Sequence, residues 1–452
     1  LEAGMPLRAG LCLSRQALLL QVTGRVADAA RVNREALALL EPLAPNRELI
    51  SAYNVEAWLS LASADPLQGI DRVDQALALA EHFESEGDLP RLFEVAGLLW
   101  LTKDRQRSLA YLERALSAAL KLDHATRAAN IYTNLALLLV DQYAFDRAQA
   151  LLDVGLPFAQ ERDLDFAQRL MSCTLALLNL HRGDWASAER LATEELQRQP
   201  PSTARGSALL VLGRLRARRG DPDALTPLEE SLALLVKQGF RQLEGSVRVA
   251  LAEAAWIAGD RHRATAEARA GLELALRHAQ PWYVGELAYW LWRAGQAVDL
   301  PDWAAAPFAL EMAGDWRAAA DAWAALDCPY ERARALANGD IESRREALAL
   351  FVKLGALPAA NELRDQLRSI GVERLPQGPR AATRRNPLGL TRRQADVLDG
   401  LMADLTNAEI AARLHLSPRT VEKHVSALLA RFEARTRQDV IDRVKELSSE
   451  RD

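Results

Sequence analysis

Apolar residues recur at helical spacing from Leu7 to about Gly371, and nowhere does the chain alternate as a half-buried strand would. A repeated punctuation divides this long helical stretch. Gly183-Asp184-Trp185 is followed by Ala188, Gly259-Asp260-Arg261 by Ala264, and Gly314-Asp315-Trp316 by Ala319. Gly220-Asp221-Pro222 leads to Leu225, and Gly24-Arg25-Val26 leads to Ala29. One physical pattern accounts for all five. Glycine closes a helix in the left-handed conformation, aspartate caps the next, and a small residue one turn later lets the two helices approach. Pro222 is expected at the first helical position, where a missing N–H costs nothing.

The steps Gly183 to Gly220 and Gly220 to Gly259 are close to forty residues, and turns near Lys103-Asp104-Arg105 and Gln142-Tyr143-Ala144 keep a similar pitch. Helical hairpins at that period predict a tetratricopeptide-like superhelix. The step from Gly259 to Gly314 is longer and contains Pro281 and Pro301, so one repeat there is irregular. It also concentrates tryptophan: Trp256, Trp282, Trp290, Trp292, Trp303, Trp316 and Trp323. These are expected to fill interhelical gaps rather than to line a ligand site. Ser343–Leu354 and Pro358–Ile370 form a last hairpin turning at Gly355, after which Pro376-Gln377-Gly378-Pro379 ends the periodicity.

After Leu390 the pattern changes to short helices. Thr406, with Glu409 three residues on, forms a capping-box signature for a helix over Asn407–Leu414 that buries Ile410, Ala411 and Leu414. His415 and Leu416 make a turn, Ser417 caps again, and Pro418 opens a second helix. Its apolar stripe is Val421, Val425, Leu428 and Phe432, and at 100° per residue Arg419, Lys423, Ser426 and Ala430 face the other way. A thin hydrophilic face of this kind suits a DNA major groove. Six basic residues (Arg413, Arg419, Lys423, Arg431, Arg435, Arg437) stand against Glu422 and Glu433 in this stretch, the local excess that phosphate contact needs. By position Glu422, Lys423 and Ser426 are the base readers and Arg419, Thr420 and Arg431 the backbone contacts, while His424 is either a buried polar residue or a further backbone contact.

The residues Leu390-Thr391-Arg392-Arg393, Val397-Leu398, Asn407, Glu409-Ile410-Ala411, Leu414, Ser417, Thr420-Val421, Lys423-His424-Val425 and Thr436-Arg437 resemble the DNA-binding domain of LuxR-type transcription regulators. The resemblance implies a four-helix module that binds double-stranded promoter DNA and works with RNA polymerase, and it favours the backbone contact for His424. Its last helix, Arg437 to Leu447 here, would pair two copies as a dimer on DNA. Asp404 and Glu433 stand where the family usually has glycine. The order of helical stack, linker and terminal module is similar to the C-terminal half of the large ATP-binding regulators of that type. This chain has no phosphate-loop motif, so no nucleotide cofactor is assigned. It starts at Leu1 rather than an initiator residue and reads as a piece of a longer protein.

The expected organisation is all-α: a repeat body over 1–375, a basic linker over 376–388, the helix-turn-helix domain over 389–447 and a tail over 448–452. Charge follows this division. The chain carries a net −5, yet from Pro376 onward there are 14 basic and 11 acidic residues. An acidic body with a basic tip suits a regulator that must leave DNA as well as bind it. Cys12, Cys173 and Cys328 are odd in number and far apart, and are expected as buried thiols of a cytoplasmic protein. No catalytic or metal-binding motif is present, and no enzyme is expected. The predicted function is a DNA-binding transcription regulator whose body senses a small-molecule or protein effector, away from membranes. The rivals are a repeat-based interaction scaffold and a fragment of a nucleotide-hydrolysing regulator.

Overall fold

The computed structural model describes residues 4–22, 25–61, 67–101, 103–198, 202–237, 241–373, 375–376, 390–432 and 434–449. Among them the chain is all-α, with twenty-four α-helices and one short 3-10 turn at Glu86–Asp88. It divides into two compact units, Leu1–Arg374 and Leu375–Asp452. The expected linker over 376–388 lies almost wholly outside the described residues.

The first unit is a stack of helical hairpins. Its helices are α1 (Gly4–Val22), α2 (Val26–Leu40), α3 (Glu48–Ser60), α4 (Leu67–His82), α5 (Leu89–Trp100), α6 (Arg105–Lys121), α7 (Ala125–Asp141), α8 (Phe145–Gln160), α9 (Asp165–His181) and α10 (Trp185–Gln197). They continue as α11 (Ser202–Arg219), α12 (Leu225–Lys237), α13 (Arg241–Ile257), α14 (Arg261–Arg277), α15 (Pro281–Arg293), α16 (Ala306–Met312), α17 (Trp316–Ala325), α18 (Pro329–Leu336), α19 (Ile341–Leu354) and α20 (Leu357–Ser369). Each odd helix pairs with the even helix after it. From α1 to α15 each odd helix also packs on the next odd one, whereas the even helices pack mainly on their chain neighbours. Odd helices therefore line one continuous surface, as in a tetratricopeptide-like superhelix.

The Gly-Asp turns make this register. Gly183, Gly259 and Gly314 are left-handed, with φ of 81°, 84° and 83°. Asp184, Asp260 and Asp315 then accept from the backbone N–H of Ser187, Arg263 and Ala318 at 3.1, 2.9 and 3.1 Å. One turn later Ala188, Ala264 and Ala319 are fully buried at the crossings. Gly220 is also left-handed, but α12 does not begin at Pro222 as expected. Asp223 adopts φ 59°, which no helix accommodates, and accepts from the Thr226 hydroxyl at 2.5 Å, so Pro222 lies in the turn. Gly24 lies outside the described residues, and Arg25 precedes α2 without a side-chain cap.

Other expectations need correction. Cys173 and Cys328 are buried, but Cys12 is exposed on α1, away from the core. Of the tryptophans, Trp323 and Trp290 are buried and Trp282 stacks on Tyr143 with centroids 4.0 Å apart, while Trp292 and Trp303 are exposed.

The charge of the body is not all on its surface. Across the odd-helix surface of α9, α11 and α13 lie α15, α16 and α18, and between them runs a buried ionic network. Arg214 reaches Glu253 at 2.7 Å and also bonds Glu286. Arg218 reaches Glu253 at 2.8 Å and Glu331 at 2.7 Å, and Arg334 reaches Glu311 at 2.7 Å. Burial pushes Glu331 upward, but Arg218 and the other arginines outweigh it and hold its carboxyl at about 2. Burial wins at Glu286, which is raised despite Arg214.

Candidate nucleic-acid interface

The second unit contains four helices, α21 (Arg392–Met402), α22 (Asn407–Leu414), α23 (Pro418–Arg431) and α24 (Arg437–Ser449). The last runs two residues past the expected end at Leu447. Local chemistry sets most of the boundaries. Thr391 with Gln394, and Thr406 with Glu409, form complete capping boxes. Ser417 accepts from the Thr420 N–H at 3.1 Å, and Pro418 opens α23. Asp439 accepts from the N–H groups of Arg435 and Thr436, both at 2.9 Å. Hydrogen bonds from the Thr406 side chain and backbone lower the Glu409 carboxyl below its usual range, and those from Thr436 do the same for Asp439. Where a glycine would ease the end of α21, Asp404 itself adopts the left-handed conformation, φ 57°, which short polar side chains tolerate. Glu433, the other expected glycine position, lies outside the described residues.

The turn between α22 and α23 is tight. His415 is left-handed, φ 54°, and the Leu416 N–H returns to the Ala411 carbonyl at 2.9 Å. Ile410, Ala411, Val421 and Leu428 are buried in the core of this unit, with Leu390, Val397, Leu401 and Val440. Leu414 and Val425 are half-buried and pack against it. The core thus grips one side of α23 and leaves the opposite side to solvent.

That free side carries Arg419, Glu422, Lys423 and Ser426, all exposed, with Ala430 and Arg431 beyond them. Thr420 and His424 are half-buried at its edges, and the Thr420 hydroxyl lies 2.8 Å from that of Ser417. Arg413, on α22, and Arg435, ahead of α24, are exposed as well. Arg437 must be taken out of the basic face, because its guanidinium donates to the Leu405 carbonyl at 2.6 Å. Arg443, which sequence reasoning did not single out, likewise bonds the Phe432 carbonyl. These two arginines tie α24 to the ends of α21 and α23, and their signal in sequence is indistinguishable from that of a DNA-facing arginine. The exposed side of α23 is a narrow, rigid ridge with hydrogen-bond donors and acceptors and no bulky apolar group. Such a ridge can enter a major groove and bond base edges.

A profile of the family described as "GerE: Bacterial regulatory proteins, luxR family" matches residues 388–444. No protein of curated function matches the chain in sequence. Two solved structures align over most of the chain. One is a Rap protein complexed with Competence and Sporulation Factor, 12% identical over 80% of this chain and 98% of that one, with a TM-score of 0.49. The other is the Rap conjugation gene regulator of the plasmid pLS20, 13% identical over 81% and 98%, with a TM-score of 0.31. The chain thus ends in a LuxR-family DNA-binding domain, carried behind a tetratricopeptide-like helical-repeat body.

Proposed function

We propose that the protein is a cytoplasmic transcription regulator that binds promoter DNA through α23 and receives an effector, a small molecule or a protein, on its repeat body. The observation that carries this is the exposed Arg419–Glu422–Lys423–Ser426 side of a helix whose other side is anchored by Val421 and Leu428. Glu422, Lys423 and Ser426 read base edges, and Arg419, Thr420, His424 and Arg431 set the register on phosphates. Two copies pair through α24 on DNA, and the bound dimer acts on RNA polymerase. The body does no chemistry in this scheme, and its helices transmit occupancy.

The test is a salt titration of the full chain on duplexes selected from a random pool, against unselected duplexes. Lys423→Ala removes a side chain that touches no core residue, so folding is kept. It is expected to cost about 1–3 kcal/mol on selected duplexes and little on random ones. Arg419→Ala is expected to weaken both alike and to make the salt dependence shallower by about one charge. If both folded variants bind every duplex as the parent does, α23 is not the DNA reader.

A further inference from the structure

Glu422 stands on the exposed ridge of α23 without a role in the fold. Three other carboxylates of this unit do serve it. Glu409 accepts from the Thr406 backbone N–H at 2.7 Å, Asp439 accepts from the Arg435 and Thr436 N–H groups, and Asp396 pairs with Arg393 at 3.5 Å. Glu422 is exposed, and its carboxylate makes no hydrogen bond or ion pair among the described residues. Arg419, three positions earlier on the same side, is not paired with it either. Counted from the N-cap Ser417, Glu422 lies past the first turn, where the helix dipole no longer favours an acid. Nothing in the folded domain calls for a carboxylate at this place.

On a surface that meets DNA such a group is costly. A duplex carries a negative charge about every 1.7 Å along its axis, so an unpaired carboxylate on the ridge repels every sequence alike. The repulsion is offset only where a base presents a hydrogen-bond donor to it. An ionised carboxylate accepts and cannot donate. In the major groove guanine shows two acceptors, thymine an acceptor and a methyl group, and adenine a donor beside the acceptor N7. Cytosine alone shows a donor, its N4 amino group, with no acceptor at its side. The neighbouring Lys423 has the reverse inventory, donors only, and suits guanine.

We propose that Glu422 determines specificity: it accepts a hydrogen bond from the N4 amino group of one cytosine in the operator, and its charge turns away duplexes that lack cytosine there. The proposal rests on the reading of α23 as the DNA-facing helix and adds to it a base and a sign. A residue kept for affinity loses binding when it is truncated. A residue that discriminates by repulsion loses preference and gains on the wrong sequences. Glu422→Ala and Lys423→Ala are therefore expected to differ on random duplexes, the first binding them more tightly and the second nearly as the parent does.

The experiment selects duplexes from a random pool with the full chain, then changes each base pair of the recovered sequence singly. The parent should prefer cytosine at one position by about tenfold. Glu422→Ala should lose that preference, keep the others, and bind unselected duplexes several-fold more tightly than the parent. Glu422→Gln keeps the shape and removes the charge. Glutamine bonds adenine N6 and N7, so the same position should shift towards adenine. Both variants should melt as the parent does, since Glu422 has no partner among the described residues. Unchanged preference at every position in both variants, a preference lost at an A·T pair instead, or unselected duplexes bound no more tightly by Glu422→Ala would overturn the proposal. A fall in melting temperature would make Glu422 structural and would also overturn it. If Lys423→Ala and Arg419→Ala still respond as expected, α23 stays the DNA reader and only the role of Glu422 falls. A parent that selects no duplex sinks both.

Discussion

Arg218 and Arg91 both stand on odd helices of one repeat stack and differ in what surrounds them. Arg218 on α11 is covered by α18 and meets Glu253 and Glu331 at 2.8 and 2.7 Å. Among the described residues Arg91 on α5 has only Gln21, and the groove that α1, α3, α5 and α7 form beside it is open. Where the chain folds its own helices over the repeat surface, it supplies carboxylates for the cations it buries. Where it leaves that surface open, it leaves a cation short of one. The contrast separates an arginine held by carboxylates in a closed interior from one beside an open surface, and opposite responses to substitution follow from it.

The largest effect belongs to the closed region. Arg218→Met leaves Glu331 buried without its arginine and Glu253 with Arg214 alone, and is expected to destabilise the body by about 3–5 kcal/mol in denaturant unfolding. A loss under one kcal/mol would mean that the network is not paired as described. Next comes the crossing at Ala188, which is fully buried one turn after a Gly-Asp turn. Ala188→Phe should overpack it and cost about 1–3 kcal/mol, and an unchanged melting curve would put the repeat register in error.

Smaller again is a pH effect where α15 meets the end of α7. Asp141 accepts from the Tyr283 hydroxyl at 2.6 Å, but burial outweighs that bond and the nearby Arg105, and raises the carboxyl to about 6. A raised carboxyl adds its stability fully below its ordinary value of 3.8 and loses it as pH climbs to about 6. Asp141→Asn should therefore gain on the parent across that window, by about 1–2 kcal/mol above pH 6 in thermal unfolding. Glu331 works in the other direction. Its depressed carboxyl gives full stability above 4.5 and loses it as pH falls towards about 2, so acid unfolding of the parent should begin in that range. Arg91→Met should show the least, no loss or a gain of a few tenths of a kcal/mol, which is opposite in sign to Arg218→Met.

The elements legible in the sequence are those whose cause is local. Gly183-Asp184 fixes a turn from two adjacent residues, and Thr406 with Glu409 fixes a helix start from three positions. The ridge on α23 is legible for the same reason, since one helical period places Lys423 opposite Val421 and Leu428. The ionic network is not local. Arg214 meets Glu286 across 72 positions, and Arg218 meets Glu331 across 113. The one trace in the sequence is that Arg214 and Arg218 continue the helical stripe of buried Leu210, so arginine replaces leucine without changing face. Part of the acidic excess of the body is buried there. Arg437 was miscounted because a guanidinium that caps a carbonyl and one that meets a phosphate look alike in one dimension. Arg91 carried no signal at all, because the groove beside it exists only once four helices are side by side.

The cover that α15–α18 form over α7–α11 also changes how the stack comes apart. An open row of hairpins unravels from its ends, each step costing one neighbour. Here Tyr283 is bonded to Asp141, Arg105 to the Ala279 carbonyl at 3.2 Å, and Arg218 to Glu331, so repeats distant in the chain must open together. The middle of the body then behaves as one cooperative block, and amide exchange from α7 to α18 should follow global unfolding. The hairpins α1–α2 and α3–α4, outside that closure, should exchange through lower-energy openings.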